Sequence, residues 1–371
     1  MSNDGRTAKE NGAQTSAEIL SQPGCWNDSL RALDVSHKLE DLARRFAEIE
    51  EWVFVGCGSS YYVAMCAAST MSEFAGLRTR AMAASEVLFY PAQLPPSNRV
   101  AVVLISRSGR TSEVLRVAEQ LGERRITTLG ISCAPHQALE KLTTAAIVLP
   151  AADEQSTVMT RSFTSMLLAL QALATALGTL RNFRLAQTKV AARAENLLRT
   201  LPKRVQEFVR QHAFEDYVFL GQGALYGIAC ESALKLTEMS ISYAQSFHTL
   251  EFRHGPKSIV SAGTLIGFLL SETAYREELS VLEEVKRLGG TTLVVANRPD
   301  ALARSAADLV IELEDDGPEA ARVPLYLLPG QLMGLYTGVK KGLDPDSPRH
   351  LSRVVILDDE PSQEETRHAA L

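Results

Sequence analysis

Four stretches of this chain carry residues able to do chemistry. In "ESALKLTEMS" (residues 231–240) a helical period sets Glu231, Lys235 and Glu238 at i, i+4 and i+7, so carboxylate, ammonium and carboxylate share one face. Such a row suits proton transfer, and an exposed salt-bridged helix would show the same row. The flanking Ala229, Cys230, Ala233, Leu234, Leu236 and Met239 leave little polar surface, which favours a cleft over bulk water. In "ISRSGRTSEV" (residues 105–114) an apolar strand runs into Ser106, Ser108, Gly109 and Thr111 just before an amphipathic helix. Hydroxyls beside free backbone N–H groups and the positive end of a helix dipole would hold a phosphate. An ordinary N-cap, with Glu113 in the first turn, reads the same way. In "EFRHGPKS" (residues 251–258) His254 precedes Gly255 and Pro256 at a chain reversal, either reaching into a site or decorating a turn. In "VKKGLDPDSPRHL" (residues 339–351) Lys340 and Lys341 close a helical stretch, where lysines are the usual dipole partners.

The elements that must position these groups read as parallel sheets. From Trp52 on, short apolar runs ("WVFVG", "VAVVLIS", "ITTLGIS", "AAIVLP") alternate with amphipathic stretches, the pattern of a doubly wound α/β fold with helices on both faces. After a long helical connector over residues 161–201 the alternation resumes with "YVFLG", "LIGFLLS", "TTLVVAN" and "DLVIEL". "VFVGCG" at Val53 recurs about 165 residues further on as "VFLGQG" at Val218, and the same spacing pairs Tyr61 with Tyr226, Ala68 with Ala233, Glu86 with Glu251 and Ser106 with Ser271. An internal duplication is the reading: a polar tail over 1–15, a first domain over 16–200 and a second over 201–371 that ends in the lysine-bearing loop. Neither copy holds a nucleotide motif. GxxxxGK[ST] is absent, and "GCGSSY" and "GQGALY" lack the third glycine of GxGxxG.

Composition narrows the function. The 371 residues carry 38 basic and 44 acidic side chains, net −6, with no basic stripe for nucleic acid or polybasic patch for a membrane. No apolar run approaches the ~18 residues a membrane span needs. Five scattered cysteines without CxxC spacing argue against a zinc site and a disulfide framework, and fit a reducing cytoplasm.

Together the motifs resemble the sugar isomerase (SIS) superfamily, in particular the isomerase half of glutamine:fructose-6-phosphate aminotransferases. "CGSS" is similar to the family's CGTS, "SRSGRT" to SQSGET, "ESALKLTE" to EGALKLKE, "RHGP" to KHGP and "KGLDPDSPRHL" to KGTDVDQPRNL. The resemblance runs from "AEILSQPG" at Ala17 to the C-terminus and implies two tandem three-layer α/β/α SIS domains. It implies that Ser60, Ser106, Ser108 and Thr111 bind a sugar phosphate, with Arg107 where the family has glutamine. Glu238 matches the base that moves a proton between C1 and C2, and Lys235 is its helix neighbour. His254 matches the ring-opening histidine, which in the family crosses from the partner subunit, so a homodimer is expected. Lys341 matches a lysine that approaches the sugar carbonyl. "VMTRSF" replaces the family's ASTKAF, so the sugar contacts of Met159 and Arg161 stay open.

Those enzymes draw ammonia from a preceding glutaminase domain with an N-terminal cysteine nucleophile, whereas Ser2 follows Met1 here. The expected activity is therefore the reverse chemistry, deamination of a glucosamine-6-phosphate type amino sugar to a ketose 6-phosphate, with no metal or organic cofactor. The resemblance extends to galactosamine-6-phosphate deaminase/isomerases and to fructosamine-6-phosphate deglycases. It leaves open a pure aldose/ketose isomerase and a non-catalytic sugar-phosphate sensor.

Overall fold

A computed structural model describes residues 11–94, 97–178 and 181–357. Helices α1 (Ala13–Leu20), α2 (Gln22–Val35) and α3 (Lys38–Arg45) lead into a sheet of β1 (Glu51–Gly56), β2 (Arg78–Ala83), β3 (Val100–Ile105), β4 (Thr127–Ser132) and β5 (Ala145–Val148). Its helices are α4 (Ser59–Ala75), α5 (Ala84–Phe89), α6 (Ser112–Glu123) and α7 (Ala138–Leu142). The expected connector is two helices, α8 (Arg161–Gly178) and α9 (Arg181–Leu198), followed by α10 (Leu201–Gln211). The second sheet contains β6 (Asp216–Gly221), β7 (Tyr243–His248), β8 (Thr264–Leu269), β9 (Thr291–Ala296) and β10 (Leu309–Glu312). With it come α11 (Ala224–Ser240), α12 (Tyr275–Arg287), α13 (Ala301–Ala306), α14 (Glu319–Arg322) and α15 (Leu327–Lys340).

Both sheets are wholly parallel, in the orders β2-β1-β3-β4-β5 and β7-β6-β8-β9-β10. The order is therefore the same in the two copies, and the chain forms two tandem three-layer α/β/α units. All six residues of β3 and all six of β8 are buried, as strands covered on both faces must be. In each copy strand order reverses between the first and third strands, which opens a crevice at their carboxyl ends.

Duplication extends to backbone angles. Gly58 and Gly223, the residues preceding α4 and α11, both adopt φ 53° and ψ −129°. One expected pairing needs correction: the connection from β7 to β8 is one residue shorter than that from β2 to β3, so Ser106 corresponds to Leu270. Ser106 N donates to Ile131 O at 3.0 Å and Leu270 N to Val295 O at 2.9 Å, the same bond in each copy.

The polar tail also needs correction. Residues 1–10 lie outside the described residues, but Ala13, Gln14 and Thr15 already belong to α1. Gly12 N donates to Asp344 Oδ1 (3.0 Å), Gln14 N to Asp346 Oδ2 (3.1 Å) and Thr15 N to Asp346 Oδ1 (2.7 Å). Carboxylates of the C-terminal loop thus satisfy N–H groups that a helix start leaves free.

At the centre α4 and α11 pack antiparallel: Ser59 at the start of α4 meets Glu231 and Lys235, while Cys66 Sγ meets Ala224 O. Gly56 allows α4 to begin close to β1, because a Cβ there would lie 2.5 Å from the Ser60 carbonyl carbon. The backbone cannot give way cheaply, so Gly56→Ala is expected to destabilise the protein by about 1–3 kcal/mol. A urea midpoint equal to wild type would contradict this close approach.

Candidate active site

The first copy's crevice holds the hydroxyl loop. β3 delivers Ser106 at its carboxyl end, Gly109 turns the chain at φ 63°, and Thr111 precedes α6. Ser106 Oγ lies 2.9 Å from Thr111 Oγ1 and 3.5 Å from Ser108 Oγ. Ser60, in the first turn of α4 beside the end of the neighbouring strand β1, is buried with its Oγ 4.0 Å from Met159 Sδ. Three hydroxyls at one helix start, with Ser106 touching the other two, and a fourth on the adjacent strand-helix turn make a candidate anion cradle.

The acid-base row comes from the other copy and is buried. Lys235 is fully enclosed on α11, with Nζ 3.1 Å from Glu231 Oε1, 3.4 Å from Ser59 Oγ, and in contact with Glu238 Oε2. Ser59 Oγ in turn donates to Glu231 Oε1 at 3.0 Å. Side-chain exposure separates the members: Glu231 and Lys235 are at 0%, Glu238 at 17%. Only Glu238 can therefore present its carboxylate to a ligand. Burial pushes the Glu231 carboxyl up to about 7 against the pull of Lys235. Burial pulls the Lys235 ammonium down, but the two carboxylates outweigh it and hold it above the ordinary lysine value. Lys235 stays charged, and Glu231 is the member that a proton reaches near neutrality.

Among the described residues the remaining sequence candidates make no hydrogen bond or ion pair with Glu231, Lys235 or Glu238. His254 is exposed on the turn after Glu251–Arg253, beyond the end of edge strand β7, and its backbone N donates to Glu251 O at 3.0 Å. Lys341 caps α11: Nζ donates to Ser240 O (3.2 Å) and Ser242 Oγ (2.7 Å), and burial lowers its pKa. Arg107 is a correction. Its guanidinium is engaged within the protein, pairing with the buried Glu154 carboxylate (3.5 Å) and donating to Ser156 O, Val158 O and Arg353 O. A fully enclosed carboxylate needs a nearby cation, which is what Arg107 supplies. Arg161 likewise bonds Asp153 O and Ser21 Oγ. Among the described residues no group of three or more His, Cys, Asp or Glu could hold a metal ion.

Two contributors escape sequence reasoning. Ser59 is one, although the doubled serine of "CGSS" was a signal for it. The other is the segment after Leu351: Val355 O accepts from Ser112 N (3.3 Å), Leu357 N donates to Ser112 Oγ (3.0 Å), and Arg353 pairs with Asp153 (2.6 Å). It lies on the first turn of α6 beside the cradle, and nothing in "SRVVIL" marks that position.

Comparison with known proteins identifies the family. The SIS domain family model matches residues 46–176 and 215–336, so the chain belongs to the SIS domain family. It is 28% identical over 92% of its length to an isomerizing glutamine-fructose-6-phosphate aminotransferase of Gloeobacter violaceus, covering 58% of that protein. To the enzyme of that name from Xylella fastidiosa it is 32% identical over 82% of its length, covering 51%. The chain thus spans about half the length of the curated relatives it matches. A glucosamine-6-phosphate deaminase structure from Thermotoga maritima superposes with TM-score 0.76 at 29% identity, covering 93% of this chain and all of that one. No described helix is long and apolar enough to cross a membrane.

The buried row makes a pH-dependent prediction. With its folded pKa raised, Glu231 contributes stability that is present below about 4.5 and lost as pH rises through about 7. Lys235→Met leaves that carboxylate without its cation, and is expected to cost about 3–5 kcal/mol at pH 8. The loss should shrink at pH 5.5, where Glu231 takes up a proton. Urea unfolding at both pH values checks this; an equal loss at each would contradict it.

Proposed function

We propose that this SIS-domain chain is a phosphosugar aldose-ketose isomerase that deaminates an amino-sugar 6-phosphate of the glucosamine type, giving ketose 6-phosphate and ammonia with consumption of one water. The observation that carries this reading is Glu238, the single partly exposed member of a buried acid-base row that joins the start of α4, where Ser60 begins the phosphate cradle. Similarity over the whole length of the Thermotoga deaminase supports the ammonia-releasing direction.

In this reading Ser60, Ser106, Ser108 and Thr111 hold the phosphate and so align the open-chain sugar. Glu238 removes the C2 proton, the C1 oxygen takes up a proton to give an enolamine, and Glu238 returns its proton to C1. The resulting C2 imine is hydrolysed by water, which expels ammonia. Lys235 offsets charge on the C1 oxygen. His254 moves the proton between ring oxygen and anomeric hydroxyl when the ring opens. Its exposure on a turn, without a bond to Glu238 among the described residues, favours donation across a homodimer interface. For Lys341 a role at the sugar carbonyl rests on resemblance alone. The small-molecule sugar phosphate is the partner, and five free thiols suit a reducing cytoplasm.

Glu238→Gln is expected to lower kcat for ammonia release by about 10³-fold or more while KM changes little. The assay spans glucosamine-6-phosphate, galactosamine-6-phosphate and fructosamine-6-phosphates, and near wild-type turnover by the variant would sink the assignment. Isomerisation without ammonia would identify a pure isomerase. Shared sites make a further prediction: mixing inactive Glu238→Gln and His254→Asn subunits should restore about a quarter of wild-type activity, because half of the dimers regain one complete site. No recovery after subunit exchange would place His254 and Glu238 of one chain in the same site.

A further inference from the structure

The second copy's crevice is not empty. At the loop after β8, Glu278 of α12 turns its own carboxylate onto the strand end: Oε2 accepts from Ser271 N (2.7 Å) and Ser271 Oγ (3.0 Å). Its Oε1 accepts from Thr249 Oγ1 at 3.1 Å. In the first copy Val114 of α6 takes the corresponding position, and among the described residues no carboxylate reaches the hydroxyls of Ser106, Ser108 and Thr111. One loop is left open for an external anion, and the other is filled from within.

An enclosed carboxylate held by neutral donors is costly, and burial pushes the Glu278 carboxyl up to about 7. What the bond secures is the chain that leads to His254. Glu278, Thr249 and Ser271 are all buried, and Thr249 follows directly on β7 at the head of the turn carrying the histidine. On either side of His254 the same helix holds the chain again, through Arg253 before it to Glu284 (3.0 Å) and Ser280 (2.7 Å) and through Lys257 after it to Glu284. Those ion pairs are a quarter to two-fifths exposed and individually weak. The enclosed Thr249–Glu278 bond is the rigid tie.

We propose that Glu278 is a positioning residue for His254: the second copy's anion loop, filled by this carboxylate, fixes the turn that presents the histidine. The chemical role of His254 rests on the function proposed above; the positioning does not.

Thr249→Val severs the tie while leaving Glu278 on Ser271, and Glu278→Gln weakens it in a second way. With a cyclic amino-sugar 6-phosphate both variants should lose about tenfold or more in kcat with KM within about twofold. Solvent deuterium incorporation at C1 of 5-deoxyfructose 6-phosphate, which lacks the hydroxyl that closes the ring, should stay within about twofold of wild type. Backbone amides of residues 249–254 should exchange faster in both variants. Equal losses on the cyclic and the open-chain compound, no loss on either, or unchanged amide exchange would each overturn the proposal. If wild-type protein neither releases ammonia nor exchanges the C1 proton, the proposed function fails, and amide exchange alone then decides the Glu278 tie.

Discussion

An ammonium with no solvent exposure, Lys235, governs how this molecule is built. Removing such a cation from water costs several kcal/mol unless carboxylates and hydroxyls replace the water. Glu231, Glu238 and Ser59 do so, and Ser59 belongs to the other copy. The interaction therefore depends on α4 and α11 lying antiparallel, which in turn depends on both strand-helix turns being tight enough to start those helices close to their sheets. Electrostatics ties the two copies together at the place where the chemistry is proposed.

Duplication followed by divergence explains why one chain has one such row. At the positions in α4 that correspond to Glu231, Lys235 and Glu238 stand Cys66, Thr70 and Glu73. The first copy has no buried ammonium there, and it keeps the hydroxyl loop instead. In the second copy Leu270 stands where Ser106 does, and the loop's Ser271 is bonded to Glu278. The first copy carries the hydroxyl loop and the second the charged row, and the two copies touch because α4 and α11 lie antiparallel, with Ser59 at the start of α4 against Glu231 and Lys235.

Much of this was legible in the sequence. Apolar runs without alternation announced buried parallel strands, and the repeat of "VFVGCG" as "VFLGQG" announced two domains. Spacing alone placed Glu231, Lys235 and Glu238 on one face, and apolar flanks pointed that face inward. Sequence failed where tertiary partners decide. Nothing local tells that Arg107, within a loop of hydroxyls, must neutralise Glu154 forty-seven positions away. Equal spacing could not reveal the residue missing between β7 and β8, which displaced Ser271 from its expected partner. Gln14 and Thr15 read as tail because the carboxylates that cap α1 come from Asp346, at the far end of the chain.

The central claim is a division of labour: the first copy holds the phosphate and the second supplies the base. A crystal structure of the Glu238→Gln protein with an amino-sugar 6-phosphate tests it most directly. The account predicts phosphorus among the hydroxyls of Ser60, Ser106, Ser108 and Thr111, with C1 and C2 against residue 238. Phosphate seated at the loop after β8, or a sugar whose C1 and C2 lie away from α11, would contradict it.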